Sequence, residues 1–246
     1  MRLTIINSNS QGNAYILENE NEALLIECGV PFDKIKKALN FNYRKVVGCI
    51  ITHEHKDHCK SVKDVMAAGM NVYSTFGSLN AMGVSISHRA NAIVPGQSFS
   101  LGEYKILPFK VMHDCADPVG YLINHADCGN VLFLTDSYYC EYTFKGLNNI
   151  IIEANYCQDI LDQRVAAGSN PKFLRDRVIT SHMSLATCKQ TLETYDLSSV
   201  NNIVLIHLSD GNSDAKRFKR EVEEATGKTV HVADAGMNIS FNKKPF

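Results

Sequence analysis

From Thr52 to His58 the sequence reads Thr-His-Glu-His-Lys-Asp-His, three imidazoles and two carboxylates in one short stretch. Imidazole nitrogens and carboxylate oxygens are the donors that zinc, manganese and iron select. An apolar run, Val46-Val47-Gly48-Cys49-Ile50-Ile51, comes just before and predicts a buried strand. The cluster therefore falls past the C-terminal end of a strand, where α/β proteins bind ligands. His53 and His55 are two apart, so on an extended segment their rings point the same way. Asp57 and His58 follow where the chain turns into a helix and face a second point. One loop thus offers two ligands to each of two metal ions. A solvated polar loop is the bland alternative, but it needs no such density of histidine.

Two ions need more than four ligands. Three later residues share the same context, a ligand type at the end of an apolar strand. His113 follows Phe109-Lys110-Val111-Met112, Asp136 follows Val131-Leu132-Phe133-Leu134-Thr135, and His207 follows Ile203-Val204-Leu205-Ile206. His182 sits in a loop ahead of a helix. Taken singly, each reads as a hydrogen-bonded structural group; together, after the loop at 52–58, they read as a site. His88, His125 and His231 lack that context and are assigned to surface or structure. Cys59 and Cys115 lie beside ligand candidates, and packing explains them better than metal contact does.

These side chains must be positioned by alternating strands and helices. Strands are predicted at Leu3–Asn7, Tyr15–Glu18, Ala23–Glu27, the Val46 run, Asn71–Ser74, Ser98–Leu101, Tyr104–Met112, Val119–Asn124, Val131–Leu134, Leu147–Glu153, Ile203–Ile206, Val230–Val232 and Ile239–Phe241. Helices are predicted at Phe32–Leu39, Lys60–Ala68, Phe76–Met82, Gln158–Ala167, Pro171–Val178, Leu185–Thr194 and Asp214–Thr226. Two mixed sheets packed face to face, with helices outside, would bury these strands. The expected architecture is a four-layer α/β/β/α sandwich, one domain over residues 1–246, with no internal repeat visible in the sequence.

At 246 residues and 45% hydrophobic content the chain can bury a large core. A net charge of −1 gives no global attraction to nucleic acid or an anionic membrane. No apolar run is long enough to span a bilayer, so no membrane partner is expected. The start, Met1-Arg2-Leu3-Thr4, has no signal-peptide character, and the eight cysteines have no disulfide-like spacing. Both point to the cytoplasm.

With these residues in view, the chain resembles the metallo-β-lactamase fold superfamily over nearly its whole length. His53, His55, Asp57 and His58 match its His-x-His-x-Asp-His motif, His113 the next histidine, Asp136 the bridging aspartate and His207 the last histidine. Within the superfamily it is most similar to the YycJ/WalJ-type DNA exonucleases. Ser10-Gln11-Gly12-Asn13, the run Met112 to Tyr121, Leu134-Thr135-Asp136-Ser137, Ile152-Glu153-Ala154-Asn155, Ser181-His182-Met183-Ser184 and His207-Leu208-Ser209 carry that likeness.

The resemblance implies one ion on His53, His55 and His113, another on Asp57, His58 and His207, and Asp136 between them. The ions would be zinc or manganese, with iron a third candidate. It implies that His182 touches the substrate phosphate and is not a ligand. Departures stand at Glu27, where the superfamily usually has Asp, at Tyr156-Cys157 in place of His-Asp, at Ser181 for Gly and at Leu185 for Asn; they bear on substrate choice and leave the ligand set whole.

Two divalent ions about 3.5–4 Å apart share a hydroxide and offset the charge of a phosphoryl transition state. Asp57, Asp136 and His182 are the candidate catalytic residues, with Glu153 and Asp114 as candidate partners for the histidine rings. The expected function is a dinuclear-metal phosphodiesterase acting on nucleic acid; DNA, cut from a 5′ end, is implied by the resemblance. Lys56, Lys60, Lys63, Lys172, Arg175, Arg177, Lys216, Arg217, Lys219 and Arg220 are candidate phosphate contacts, and Tyr138, Tyr139 and Tyr156 candidate base-stacking groups. A small-molecule hydrolase on the same site (a cyclic-nucleotide phosphodiesterase or thioesterase) and a non-catalytic metal- or DNA-binding module are the alternatives.

Overall fold

The computed structural model describes residues 1–168 and 172–244. Its strands are β1 (Arg2–Asn9), β2 (Gly12–Glu18), β3 (Ala23–Ile26), β4 (Val46–Ile50), β5 (Val72–Thr75), β6 (Ala90–Ile93), β7 (Phe99–Leu101), β8 (Tyr104–Lys110), β9 (Val119–His125), β10 (Gly129–Leu134), β11 (Leu147–Glu153), β12 (Asn202–Ile206), β13 (Thr229–Val232) and β14 (Asn238–Ser240). The helices are α1 (Phe32–Ala38), α2 (Lys56–Cys59), α3 (Val62–Ala67), α4 (Phe76–Ala81), α5 (Gln158–Ala166), α6 (Lys172–Ser181), α7 (Leu185–Glu193) and α8 (Ala215–Thr226).

Two mixed sheets form, in the orders β14-β1-β2-β3-β4-β5-β6 and β13-β12-β11-β10-β9-β8-β7. Alternation along each strand builds three apolar layers. In β2, Tyr15 and Leu17 face the other sheet and pack with Ile106, Phe133 and Val204. Ala14 and Ile16 face away, onto Ile35 of α1, Val65 of α3 and Leu79 of α4. On the far side, Leu132, Ile150 and Leu205 pack under Leu185 and Leu192 of α7 and Phe218 and Val222 of α8. The expected four-layer α/β/β/α sandwich is therefore present. The inner strands are buried on both faces, which is why they read as unbroken apolar runs such as Ile150-Ile151-Ile152.

The sequence shows no repeat, yet the sheets repeat one another in topology. From β14 through β3 the first sheet has antiparallel pairs and from β3 to β6 parallel ones. The second does the same, antiparallel from β7 to β10 and parallel from β10 to β13. β3 and β10 hold equivalent places, as do β4 and β11, and β5 and β12. The C-terminal ends of β3, β4, β10, β11 and β12 carry residues of the candidate site.

Most predicted boundaries hold within two residues. The helix predicted at Lys60–Ala68 is present as α3, and a separate short helix, α2, precedes it, starting inside the histidine loop at Lys56. β6 was not expected, because Ala90-Asn91-Ala92-Ile93 has little strand character and is held by pairing with β5. Among the described residues, no helix is long and apolar enough to cross a membrane.

Candidate metal centre

Three acids or histidines at the site leave their strands with a left-handed backbone: Glu27 after β3 (φ 62°), Asp136 after β10 (φ 47°) and His207 after β12 (φ 55°). Such a turn costs a non-glycine residue on the order of 1–3 kcal/mol and is kept where the surroundings demand it. The demand here is directional, because the turn brings each side chain back over the sheet ends.

The loop at 52–58 is fastened from below. His55 precedes α2, and Cys28 donates its backbone N–H to the His58 carbonyl at 2.8 Å. A β-carbon on Gly29 would lie 1.7 Å from the Asp57 carbonyl oxygen, so only glycine lets the loop come this close. Asn13 donates to the same carbonyl at 3.3 Å. Glu27 Oε1 accepts from the Thr52 hydroxyl at 2.6 Å and from its N–H at 3.2 Å, and lies 3.5 Å from His58 Nδ1. The longer side chain at Glu27 thus reaches the loop directly.

All seven predicted ligands converge, in two groups whose donor atoms lie within 4.8 Å of one another: His53, His55 and His113, and Asp57, His58, Asp136 and His207. Asp136 touches both. Its Oδ2 lies 2.7 Å from His58 Nε2 and 3.3 Å from His53 Nε2, while its Oδ1 lies 3.2 Å from His207 Nδ1. Asp57 Oδ2 is 3.2 Å from His207 Nε2 and 3.4 Å from His58 Nε2.

Most of these rings are oriented through one nitrogen by the protein, which leaves the other for the centre. His53 Nδ1 lies 2.9 Å from the Thr52 hydroxyl, and His113 Nδ1 2.9 Å from the Ser181 carbonyl. His207 Nδ1 lies 3.0 Å from Glu153 Oε1. Among the described residues, His53 Nε2, His58 Nδ1 and Glu27 Oε2 are fully buried without a hydrogen-bond partner. His113 Nε2 and His55 Nδ1 face each other at 3.0 Å. Inward-facing lone pairs, an orphaned buried ring nitrogen and several buried carboxylates are a donor set that fits divalent cations.

The electrostatics agree. Burial holds His53 and His113 below the ordinary histidine range, neutral and ready to donate a lone pair. Burial also opposes charge on His58, but Asp136 and Glu27 outweigh it and raise its pKa well above the usual value. His207 is likewise lifted to about 9, against burial, by Asp136, Asp57 and Glu153. Asp136 and Asp57 are held low by these neighbours despite burial.

A family model described as a beta-lactamase superfamily domain matches residues 24–208. The chain belongs to the beta-lactamase superfamily. It is 28% identical, over 98% of its length and 92% of the relative's, to a protein of Streptococcus pneumoniae serotype 2 (strain D39 / NCTC 7466) named Exodeoxyribonuclease WalJ. It is 25% identical, over 91% and 88% of the two chains, to Exodeoxyribonuclease YycJ of Bacillus anthracis. Among solved structures, the metallo-beta-lactamase fold protein YhfI from Bacillus subtilis superposes with a TM-score of 0.75 at 16% identity, over 97% of this chain and 98% of that one. Human tRNase Z, short form, gives 0.67 at 16% identity over 98% and 99%. These structures share the fold.

His182 stands beside the cluster, in the turn between α6 and α7. Its Nδ1 lies 2.8 Å from Glu153 Oε1 and 3.5 Å from Asp136 Oδ1. Burial opposes its charge, but Glu153 and Asp136 raise its pKa well above the usual value. Glu153 therefore orients two rings, His182 and His207, and its other oxygen accepts from Met183 N–H at 3.0 Å and Ser137 N–H at 3.3 Å.

Several expectations are corrected. Asp114 is not the partner of His113; the Ser181 carbonyl is, and Asp114 stands farther off, at 3.4 Å from the same nitrogen. Tyr156 is buried, its carbonyl capping α7 through Leu185 N–H, so it is no base platform; Tyr138 and Tyr139 are exposed. Of the basic residues, Arg175 is tied to Asp162 and Asp176, Arg217 to Asp159 and Glu221, and Lys219 and Arg220 to Glu223 and Glu224. The side chain of Lys172 lies outside the described residues. Lys56 and Arg177 line the pocket over the cluster. His125 is buried at the opposite end of the strands, with Glu22 at 3.1 Å. Its Nδ1 accepts from Asp127 N–H at 3.0 Å, which puts the ring proton on Nε2 facing Glu22 and makes the group a structural pair.

Proposed function

We propose that this protein is a metal-dependent phosphodiesterase that hydrolyses nucleic acid, DNA first among the candidates, with two divalent ions on His53, His55 and His113 and on Asp57, His58 and His207, and Asp136 between them. The observation that carries it is His182, close to both carboxylates Glu153 and Asp136 yet outside the complete set of seven. The exodeoxyribonuclease names of the relatives support the same substrate.

Bound divalent cations would supply Lewis acidity, making water more acidic and offsetting charge on the phosphoryl oxygens. The protein's own part follows from the contacts. Glu153 takes the proton on His182 Nδ1 as a hydrogen bond, leaving Nε2 for a phosphate oxygen. Glu153 favours the charged ring, so His182 can donate to a non-bridging oxygen or protonate the leaving oxygen. Asp57 and Asp136 hold His58 and His207 in register. The pocket above has a volume of about 400 Å³ and is lined by His55, Asp57, His113, Asp136, His182 and His207.

The test is a substrate panel on the metal-loaded protein, using single- and double-stranded DNA and RNA, a cyclic nucleotide and a thioester. Shortening of labelled DNA, lost in His182→Ala with metal retained, is the expected result. Turnover of the thioester or cyclic nucleotide with DNA intact would favour a small-molecule hydrolase instead.

A further inference from the structure

The pocket over the metal cluster carries two cations that the cluster itself does not use. Arg177 and Lys56 both line it. Lys56 opens α2, between His55 and Asp57. Arg177 lies on α6, where Leu174, Arg177 and Val178 are spaced to share one helix face, and that face forms a wall of the pocket. The helix is pinned to the site at its end, because the Ser181 carbonyl holds His113 Nδ1 at 2.9 Å.

Arg177 is not spent on a salt bridge in the way its neighbours are. Among the described residues its one carboxylate contact is Nε to Asp114 Oδ2 at 3.6 Å, and its side chain remains 65% exposed. Asp114 adjoins His113, so this loose contact keeps the exposed guanidinium beside the cluster, in the lining of the pocket. Arg175, two residues earlier, is closed by Asp162 and Asp176 instead. A guanidinium fork with free N–H groups matches phosphate oxygens two at a time. The cluster also places Asp57, Asp136 and Glu153 close to any incoming anion. Cations at the rim offset that repulsion for phosphates that do not themselves reach the metals.

We propose that Arg177, assisted by Lys56, grips the phosphates flanking the scissile one, so that the pocket selects a polynucleotide strand over an isolated diester. The proposal rests on the phosphodiesterase reading for the reaction, but strand binding can be measured apart from cleavage.

The experiment measures binding of a fluorescent single-stranded oligonucleotide to metal-loaded protein in a His182→Ala background across a series of salt concentrations. With Arg177→Gln added, Kd rises about tenfold, the loss expected for one charge-assisted hydrogen bond. The slope of log Kd against log salt becomes shallower by about 0.7, one phosphate contact on a single strand. Arg177→Lys keeps the slope and recovers part of the affinity. Lys219→Gln with Arg220→Gln, on α8, changes neither quantity.

With His182 intact, Arg177→Gln raises KM for the oligonucleotide more than it lowers kcat, and by a larger factor than for bis(p-nitrophenyl) phosphate. Unchanged Kd and slope in Arg177→Gln, no strand binding by the parent protein, or equal losses on strand and small diester would each overturn the proposal. Strand binding that depends on Arg177, in a protein that cuts no nucleic acid, would sustain it while removing the nuclease reading.

Discussion

Glu27 and Asp136 leave equivalent strands of the two sheets, β3 and β10, by the same left-handed turn, with φ of 62° and 47°. Both carboxylates reach His58, from opposite ring nitrogens: Glu27 Oε1 lies 3.5 Å from Nδ1 and Asp136 Oδ2 2.7 Å from Nε2. One ring is thus held between a carboxylate that also fastens the loop and one that lies at the centre of the cluster. Glu27→Gln keeps the size of the side chain and removes its charge. Metal affinity should fall about 10–100-fold, the range for partners that orient a ligand histidine. Metal competition with a chromogenic chelator checks it, and unchanged affinity would mean that the turn at Glu27 serves packing alone.

Gly29→Ala should act on the same loop by a steric route. The new methyl would meet the Asp57 carbonyl at 1.7 Å, a contact that the buried backbone cannot relieve without moving α2. A loss of roughly 3 kcal/mol or more in stability is expected, together with loss of metal. Denaturant titration and metal content measured on the same sample would show the two falling together.

His182→Ala should lower kcat by about 10²–10⁴, the usual worth of a positioned proton donor, with metal content unchanged. Glu153→Gln should lower kcat too, but because Glu153 also holds His207 at 3.0 Å, it should weaken metal binding as well. Metal analysis beside kinetics distinguishes the two variants. His125→Ala, at the other end of the strands, should alter neither.

The histidine pKa shifts give opposite pH trends with and without metal. His58, His182 and His207 are raised above the unfolded value of about 6.5, His207 to about 9. In metal-free protein the stability from their protonation is complete below about pH 6.5 and is lost as pH rises through the folded values, by up to about 1.4 kcal/mol per pH unit for each proton. His53 and His113 are depressed, so their neutral burial costs stability only as pH falls below about 6.5. Metal binding needs unprotonated rings and strengthens over the same interval. Melting temperature should therefore fall from pH 6.5 to 9 in chelator and rise in excess metal. Parallel trends in the two conditions would contradict this.

Much of the site was legible because its chemistry sits at strand ends, where an apolar run makes the boundary visible. Thr52–His58, His113, Asp136 and His207 all follow such runs. What was hidden lies in backbone geometry and distant contacts. The left-handed turns at Glu27, Asp136 and His207 leave no mark on residue type, since acids and histidines are unremarkable where glycine would be expected. The hold of the Ser181 carbonyl on His113 is a main-chain contact, which no side-chain pattern announces. The sorting of the basic residues depended on partners far along the chain, such as Asp159 for Arg217 and Asp114 for Arg177. The twofold repeat of the sheets was invisible because pairing order, not sequence, carries it.

In the proposed centre, seven side chains hold two divalent ions with Asp136 between them. Elemental analysis of protein purified without added metal and after reconstitution, for the parent chain and for Asp136→Ala, tests it most directly. About two ions per reconstituted chain are expected, with the loss of both, or strong weakening of both, in Asp136→Ala. A single ion per chain, or two that persist unchanged without Asp136, would contradict it.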